Sequence, residues 1–218
     1  MRYRFLFFDL DGTLLNTLDD LRDAVNTVLT RHHMPEITPE QTAAFLGNGA
    51  GHLIRCAVPA GTPEEQEKEI LAEYRRYYQE HCQIRTAPYP GIPEMLKKLK
   101  DAGCVMAVVS NKPDAAVKEL NRHFFKELLV SAIGESAEVR RKPAPDTVFE
   151  AMRQTEADPG SSVYIGDSEV DIQTARNAGL PGISVAWGFR TKNELDAAGA
   201  QIIAGNAAEL ERLLTEEK

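Results

Sequence analysis

Short apolar runs alternate along the chain with longer stretches that carry an apolar residue at every third or fourth position. The runs are rich in Val, Ile and Phe, and several are apolar without interruption, as expected of strands that are covered on both faces. They occupy residues 3–8, 104–110, 128–133, 162–166, 182–187 and 201–204. This alternation predicts an α/β fold with a parallel sheet and crossover helices.

The helical stretches between these runs carry their own start and stop signals. Three of them span residues 93–103, 113–123 and 145–155. Gly103 is suited to the C-terminal cap of the first, and prolines at 113 and 145 suit the first turn of the other two. We therefore expect a doubly wound, Rossmann-like core.

Residues 18–85 differ from the rest because they show helical periodicity and no convincing strand. Two apolar faces carry the signal: Leu21, Val25, Val28 and Leu29 form one, and Ile70, Tyr74, Tyr77 and Tyr78 form the other. The pattern predicts an all-α domain at residues 17–86, inserted into a core made of residues 1–16 and 87–218. Turn-rich segments at 17–20 and 87–93 are the expected hinges.

Composition and charge are those of an ordinary globular protein. The 218 residues are 43% hydrophobic and 27% charged, and the net charge of −8 gives no footprint for nucleic acid or an anionic membrane. A local cation can still attract an anionic substrate. Three scattered cysteines and the lack of any long apolar run predict a cytoplasmic protein with reduced thiols. The oligomeric state stays open.

Polar side chains stand where the predicted strands end. Because ligands bind beyond the carboxyl ends of parallel strands, these residues are expected to meet at one edge of the sheet. They are Asp9 and Asp11 after the first strand, Ser110 and Asn111 after the second, Lys142 beyond the third, and Asp167 after the fourth.

These residue types suit phosphoryl transfer. A carboxylate can attack phosphorus if a cation offsets the repulsion between two anions, and Asp9 and Asp167 could supply carboxylates to Mg²⁺. A second carboxylate, Asp11, could protonate the departing oxygen and then activate water.

Cations and hydrogen-bond donors complete this set. Lys142 could offset charge on the transferred group, and Ser110 and Asn111 could orient its oxygens. The sequence therefore predicts a phosphate site at this edge.

Four motifs carry a resemblance to a known family. DLDGT (9–13), SN (110–111), KPAP (142–145) and GDSEVD (166–171) resemble, in order, the motifs of the haloacid dehalogenase superfamily. The helical insert lies where that superfamily carries its helical cap. Asp11, two residues after Asp9, resembles the phosphatases and phosphomutases rather than the dehalogenases.

The resemblance implies a role for each acid. Asp9 would be the nucleophile that forms an aspartyl-phosphate intermediate and a Mg²⁺ ligand. Asp11 would be the general acid and base, with its backbone carbonyl on the metal. Asp167 would complete the metal site, and Asp171 would either bind the metal through water or support Lys142.

The resemblance also implies a phosphate cradle. Ser110 and the backbone of Asn111 would hold phosphoryl oxygens, and Lys142 would bridge nucleophile and phosphate. Gly12 and Thr13 would add backbone N–H groups that can bind an anion.

The insert contains one segment with a predicted binding role. FLGNGAGHLIRCAV (45–58) places Asn48 and glycines at the start of a helix, where backbone N–H groups can bind a small anion. It resembles the cap segment of phosphoglycolate phosphatases, so Asn48 and Gly49 are candidate substrate contacts. An ordinary turn between helices is the open alternative. Asn16 stands where these phosphatases usually carry aspartate, which leaves contacts near it open.

The expected function is Mg²⁺-dependent hydrolysis of a small phosphate ester, with phosphoglycolate the best single candidate. A phosphomutase or an inorganic pyrophosphatase of the same superfamily would use the same core residues. A regulator that binds a phosphorylated ligand without turnover is the alternative from another class.

Overall fold

The computed structural model describes residues 2–216. Its contacts divide the chain into two compact units. One contains the residues up to Leu15 together with those from Pro88 onward, and the other is Asn16–Ala87.

The secondary structure alternates in the first unit and is helical in the second. The strands are β1 Phe5–Phe8, β2 Leu15–Asn16, β3 Ala87–Pro88, β4 Val105–Pro113, β5 Ser131–Glu135, β6 Ser162–Gly166, β7 Gly182–Val185 and β8 Ile203–Ala204. The helices are α1 Leu18–Arg31, α2 Pro39–Phe45, α3 Gly49–Ala57, α4 Glu64–His81, α5 Ile92–Asp101, α6 Asp114–Phe124, α7 Asp146–Thr155, α8 Glu169–Ala178, α9 Lys192–Ala197 and α10 Ala207–Thr215.

A six-stranded sheet forms the centre of the first unit, and its strand order is β5-β4-β1-β6-β7-β8. The paired strands run parallel, with β1 between β4 and β6. When only these six strands are counted in chain order, the sheet reads 3-2-1-4-5-6. This is the order of a doubly wound sheet, in which the chain adds strands first on one side of the first strand and then on the other. The predicted parallel α/β sheet is confirmed.

The strands of this sheet are buried along their whole length at its centre. All four residues of β1 and all five of β6 are buried. Because successive side chains of a strand point to opposite faces, both faces must be covered. On one face Phe7 and Tyr164 belong to a core cluster with Val148 of α7 and Ala175 of α8. Each large apolar side chain buried in this way contributes about 1.5–3 kcal/mol.

Five of the six predicted strands differ in their bounds from the structure: β1 and β8 begin two residues later than predicted, and β4, β5 and β7 differ as well. The run predicted at 128–133 becomes β5 only at Ser131, because the N–H groups of Leu128 and Leu129 bond to the Phe125 carbonyl and form a turn. The strand predicted at 104–110 continues to Pro113, past a register shift after Val109.

The strand β7 was predicted to reach residue 187 and ends at Val185. Trp187 leaves the sheet, and its indole N–H donates to the Thr13 carbonyl at 3.0 Å.

The predicted helices of the core lie within two residues of their observed bounds. The end of α5 illustrates why. Gly103 adopts a positive φ of 89°, which allows the N–H of Cys104 to bond to the Leu99 carbonyl at 2.9 Å. A glycine after the last turn makes this reversal inexpensive, as the sequence indicated.

The second unit contains α1 to α4, and its two predicted apolar faces are largely buried. Leu21, Val25, Val28 and Leu29 are buried in α1, as are Ile70, Tyr74 and Tyr78 in α4. Tyr77 is only half-buried and stacks on His81 with ring centroids 3.9 Å apart. None of the helices described combines the length and the apolar character that a bilayer crossing requires.

The segments predicted as hinges are more regular than expected. Helix α1 begins at Leu18, so most of the 17–20 segment is helical rather than a loop. The strands β2 and β3 pair with each other where the chain leaves the first unit and returns to it.

Asp20 anchors the segment that ends the second unit. Its buried carboxylate accepts hydrogen bonds from the backbone N–H of Arg85, at 2.9 and 3.0 Å, and from that of Thr86, at 2.9 Å. A buried carboxylate is tolerated when donors of this kind satisfy it.

Replacing Asp20 by Ala is expected to destabilise the protein by about 2–4 kcal/mol, because it leaves backbone N–H groups without their acceptor. Thermal unfolding should shift by more than about 4 °C. The exposed neighbour Asp19 is the control, and Asp19→Ala should shift the transition by less than about 2 °C. Equal shifts for the two variants would contradict this account of Asp20.

Candidate active site

The predicted acids lie together at the centre of one sheet edge. Asp9 directly follows β1, and its N–H continues the ladder by donating to the Ile165 carbonyl at 2.8 Å. Asp167 directly follows β6, the strand that pairs with β1. Because these parallel strands end side by side, both carboxylates reach the same point.

Three carboxylates are close enough to share one cation. Oxygen atoms of Asp9, Asp167 and Asp171 all lie within 4.8 Å of one another, and all three residues are buried. Carboxylate oxygens are the protein ligands that Mg²⁺ prefers. The donor set therefore fits a hard divalent cation.

The electrostatics of this cluster favour a positive partner. Burial, together with the negative charge of Asp171, raises the pKa of Asp167 to about 7. Burial and Asp171 also raise the pKa of Asp9 well above its usual value, although Lys142 opposes the shift. Both carboxylates therefore carry an unfavourable charge that a bound cation would stabilise.

Lys142 lies between two of these acids. Its ammonium Nζ is 2.7 Å from Asp9 Oδ1 and 2.7 Å from Asp171 Oδ1, and its side chain is almost fully buried. Burial alone would lower the pKa of this lysine, but Asp171 and Asp9 outweigh it and raise the pKa well above the usual value. Lys142 is therefore a permanent cation in the site.

Both carboxylate oxygens of Asp171 accept hydrogen bonds from other groups of the protein. Its Oδ1 atom accepts hydrogen bonds from Lys142 and from the Tyr164 hydroxyl, at 2.7 and 2.8 Å. Its Oδ2 atom accepts from the N–H and the hydroxyl of Ser168, at 3.1 and 2.6 Å. Burial works against the charged form, but these contacts outweigh it and lower the pKa of Asp171. Of the two predicted roles, this geometry favours support of Lys142.

Tyr164 is a member of this network that the sequence did not reveal. Its hydroxyl lies 3.1 Å from Lys142 Nζ as well as on Asp171. The residue sits inside an apolar strand, where a tyrosine is an ordinary core residue, so no local signal distinguished it.

Asn111 contacts Lys142 through its side chain. The amide donates to the Lys142 carbonyl at 3.0 Å and accepts from the Lys142 N–H at 2.6 Å. The prediction gave a role to the Asn111 backbone and missed this clamp. Ser110 is buried nearby, and its hydroxyl accepts from the N–H of Lys112 at 3.2 Å.

Glycines allow the backbone to approach the acids. Gly12 has a φ of 87°, and a Cβ atom there would lie 2.3 Å from Asp167 Oδ2. At Gly166 a Cβ would meet the Asp171 side chain at 2.3 Å, and at Gly188 it would meet that of Asp167 at 2.4 Å. Thr13, also predicted, is buried and donates to Asp167 Oδ1 at 3.3 Å.

Asp11 faces Lys112, a cation that was not among the predicted site residues. Lys112 Nζ lies 3.1 Å from Asp11 Oδ1, and the lysine side chain is 4% exposed. Negative charge on Asp167 and Asp11 also contributes, after burial, to a raised pKa at Tyr89. Lysines are usually solvated, so only the fold reveals that Lys112 is buried beside an acid.

The two predicted substrate contacts belong to the second unit. Helix α3 begins at Gly49, which has a φ of 79°, and Asn48 precedes it without a side-chain capping bond. Their role as substrate contacts stays a prediction.

Comparisons with known proteins agree with these motifs. The family model described as haloacid dehalogenase-like hydrolase matches residues 6–185. A phosphoglycolate phosphatase of Rhodobacter capsulatus is 35% identical over 88% of each chain. An N-acetylmuramic acid 6-phosphate phosphatase of Pseudomonas aeruginosa is 29% identical over 96% of this chain and 94% of its own.

A solved structure extends the likeness to the whole fold. A candidate phosphoglycolate phosphatase from Lactobacillus delbrueckii subsp. bulgaricus is 35% identical, with a TM-score of 0.94 over 100% of both chains. The chain belongs to the haloacid dehalogenase-like hydrolase family.

The raised pKa of Asp167 predicts how pH changes the stability of the metal-free protein. A carboxyl group whose pKa rises on folding stabilises the folded state below the unfolded value of 3.8, and this contribution is lost as pH rises towards about 7. We expect the melting temperature of wild type without metal to fall more steeply between pH 5 and pH 8 than that of Asp167→Asn. Added Mg²⁺ should raise it more at pH 8 than at pH 5.

The comparison of wild type with Asp167→Asn isolates this carboxyl group from the other titrating groups. Parallel pH profiles for the two proteins, or a Mg²⁺ effect independent of pH, would contradict the assignment.

Proposed function

We propose that this haloacid dehalogenase-like hydrolase is a Mg²⁺-dependent phosphatase that cleaves small phosphate monoesters, with 2-phosphoglycolate as the leading substrate. The observation that supports it most is the contact of Asp9 with Lys142 at 2.7 Å, beside Asp167, at the end of β1. The proposed nucleophile Asp9, the cation of Lys142 and a second acid for the metal, Asp167, are thus close together.

Asp9 and Asp167 would hold the metal, together with the backbone carbonyl of Asp11. When bound, Mg²⁺ offsets the repulsion between the carboxylates and the phosphate group. The raised pKa values of Asp9 and Asp167 support this assignment, since both acids lack sufficient positive charge within the protein.

The reaction is proposed to take two steps. In the first, an Asp9 oxygen forms a bond to phosphorus, the ester P–O bond breaks, and Asp11 gives its proton to the departing oxygen. In the second, Asp11 removes a proton from water, which attacks phosphorus. The P–O bond to Asp9 then breaks, which releases phosphate and restores both acids.

Lys142 would stabilise charge on the transferred group throughout. Its raised pKa keeps the ammonium protonated, so it acts as a fixed cation and not as an acid. The Asn111 clamp and the hydrogen bonds through Asp171 hold it against Asp9. Ser110 and the Asn111 backbone would bind the phosphoryl oxygens, since the N–H groups of Gly12 and Thr13 already donate to the Leu15 and Leu10 carbonyls, at 2.9 and 3.4 Å.

The second unit is proposed to act as a cap that selects the leaving group and excludes water during the reaction. Four helices between β2 and β3 support this role. Asn48 and Gly49, at the start of α3, would contact the substrate through their polar groups.

The names of the relatives define the first substrates to test. We expect malachite-green assays with Mg²⁺ to detect phosphate release from 2-phosphoglycolate. N-acetylmuramic acid 6-phosphate, sugar phosphates, nucleotides and pyrophosphate are the alternative substrates, each assayed separately. Chelation of the metal with EDTA should abolish the activity. A release of phosphate from pyrophosphate alone, or sugar phosphate isomerisation without release, would favour the alternative enzymes.

Replacing Asp9 by Asn is expected to lower kcat at least about 10³-fold, because the amide cannot form the phosphoryl bond. The exposed Asp101→Asn is the matched control and should keep wild-type activity. Activity of Asp9→Asn near the wild-type level, in protein shown to be folded by its melting temperature, would refute the mechanism.

A further inference from the structure

The site contains one buried lysine, Lys112, that the proposed phosphate chemistry does not use. Lys142 contacts Asp9 and Asp171, and Arg190 pairs with Glu169 through Nε and Nη2 at 2.8 and 3.0 Å. Lys112 is different because it lies beside Asp11, the proposed proton donor, rather than beside the nucleophile. Burying a lysine is costly, so its position calls for a function.

The contact between Lys112 and Asp11 supplies charge without a well-aligned hydrogen bond. Asp11 Oδ1 is a buried atom 3.1 Å from Lys112 Nζ, yet within residues 2–216 no donor reaches it with hydrogen-bond geometry. The ammonium is therefore placed next to the acid while that carboxylate oxygen can still serve a ligand.

The role of Asp11 places the leaving group near this lysine. A proton donor must come within about 2.6–3.2 Å of the oxygen that it protonates. Lys112 Nζ lies 3.1 Å from Asp11 Oδ1, so the ammonium lies within roughly 6 Å of the ester oxygen when Oδ1 is the atom that gives the proton. A group attached one carbon beyond that oxygen falls within reach of Lys112.

We propose that Lys112 recognises a carboxylate on the carbon next to the ester oxygen, so that the site selects 2-phosphoglycolate and related 2-phosphooxy carboxylates. A carboxylate there would otherwise face Asp11 without a cation of its own, because Lys142 already pairs with Asp9 and Asp171. The ammonium binds it by a charge-assisted hydrogen bond. This inference rests on the phosphatase activity proposed above and adds a residue of the α/β unit to those that select the substrate.

The backbone holds Lys112 in place from both sides. Its N–H donates to the Ser110 hydroxyl at 3.2 Å. A Cβ atom at Gly134 would lie 2.7 Å from the Lys112 carbonyl and 2.4 Å from Asp114 Cα, so only glycine lets the neighbouring strand approach this closely. The lysine thus projects from a rigid strand end, as a specificity residue requires.

The test compares 2-phosphoglycolate with ethyl phosphate, which carries a methyl group in place of the carboxylate. We expect wild type to prefer phosphoglycolate at least tenfold in kcat/KM. Lys112→Met should reduce this preference at least tenfold, whereas Lys112→Arg should retain most of it. Lys98→Met, which removes an exposed lysine paired with Glu211, is the charge-matched control and should keep the wild-type ratio.

A role limited to Asp11 gives a different result. In that case Lys112→Met slows both substrates by the same factor and leaves their ratio unchanged, which would overturn the inference. Equal use of the two substrates by wild type would overturn it as well, while leaving the phosphatase proposal intact. If the protein hydrolysed neither these two substrates nor any other phosphate ester, the proposed function itself would be wrong.

A second measurement does not depend on the rate of ester cleavage. Glycolate should inhibit the hydrolysis of ethyl phosphate competitively in wild type, with an inhibition constant at least tenfold higher in Lys112→Met. Melting temperatures verify that each variant is folded, and Lys112→Gln replaces Lys112→Met if the latter does not fold. An inhibition constant that is the same in wild type and in the folded variant would contradict the inference.

Discussion

The burial of several carboxylates at one point is the constraint on which the rest of the site depends. Oxygen atoms of Asp9, Asp167 and Asp171 lie within 4.8 Å of one another, and burial raises the pKa of the first two residues. Lys142 balances part of this charge through contacts of 2.7 Å. The protein itself does not balance all of it, and a divalent cation would neutralise the unbalanced part and so allow an anionic phosphate ester to bind.

The backbone of the α/β unit brings these acids together and leaves space around them. Parallel strands β1 and β6 end side by side, which brings acids from distant parts of the sequence together. At Gly12, Gly166 and Gly188 any side chain would collide with Asp167 or Asp171. The folded structure and the proposed catalysis therefore depend on the same positions, and substitutions there should affect both.

The sequence predicted the ends of β1 and β6, which Asp9 and Asp167 follow, because polar residues interrupt the apolar runs there. It predicted the contacts between side chains less well. Tyr164 resembled a core residue, Lys112 resembled a surface lysine, and the side chain of Asn111 had no expected partner. Each acts through a neighbour that is distant in sequence, such as the carbonyl of Lys142 for Asn111. Periodicity identifies elements, whereas such pairings arise only when the sheet order is known.

The most direct measurement is a crystal structure of the protein with Mg²⁺ and beryllium fluoride, which imitates a phosphoryl group on a carboxylate. The account predicts BeF₃⁻ attached to an Asp9 oxygen, contacted by Lys142, with Mg²⁺ bound by Asp9 and Asp167. Attachment to another side chain, or a metal bound away from Asp9 and Asp167, would contradict the assignment of Asp9 as the nucleophile.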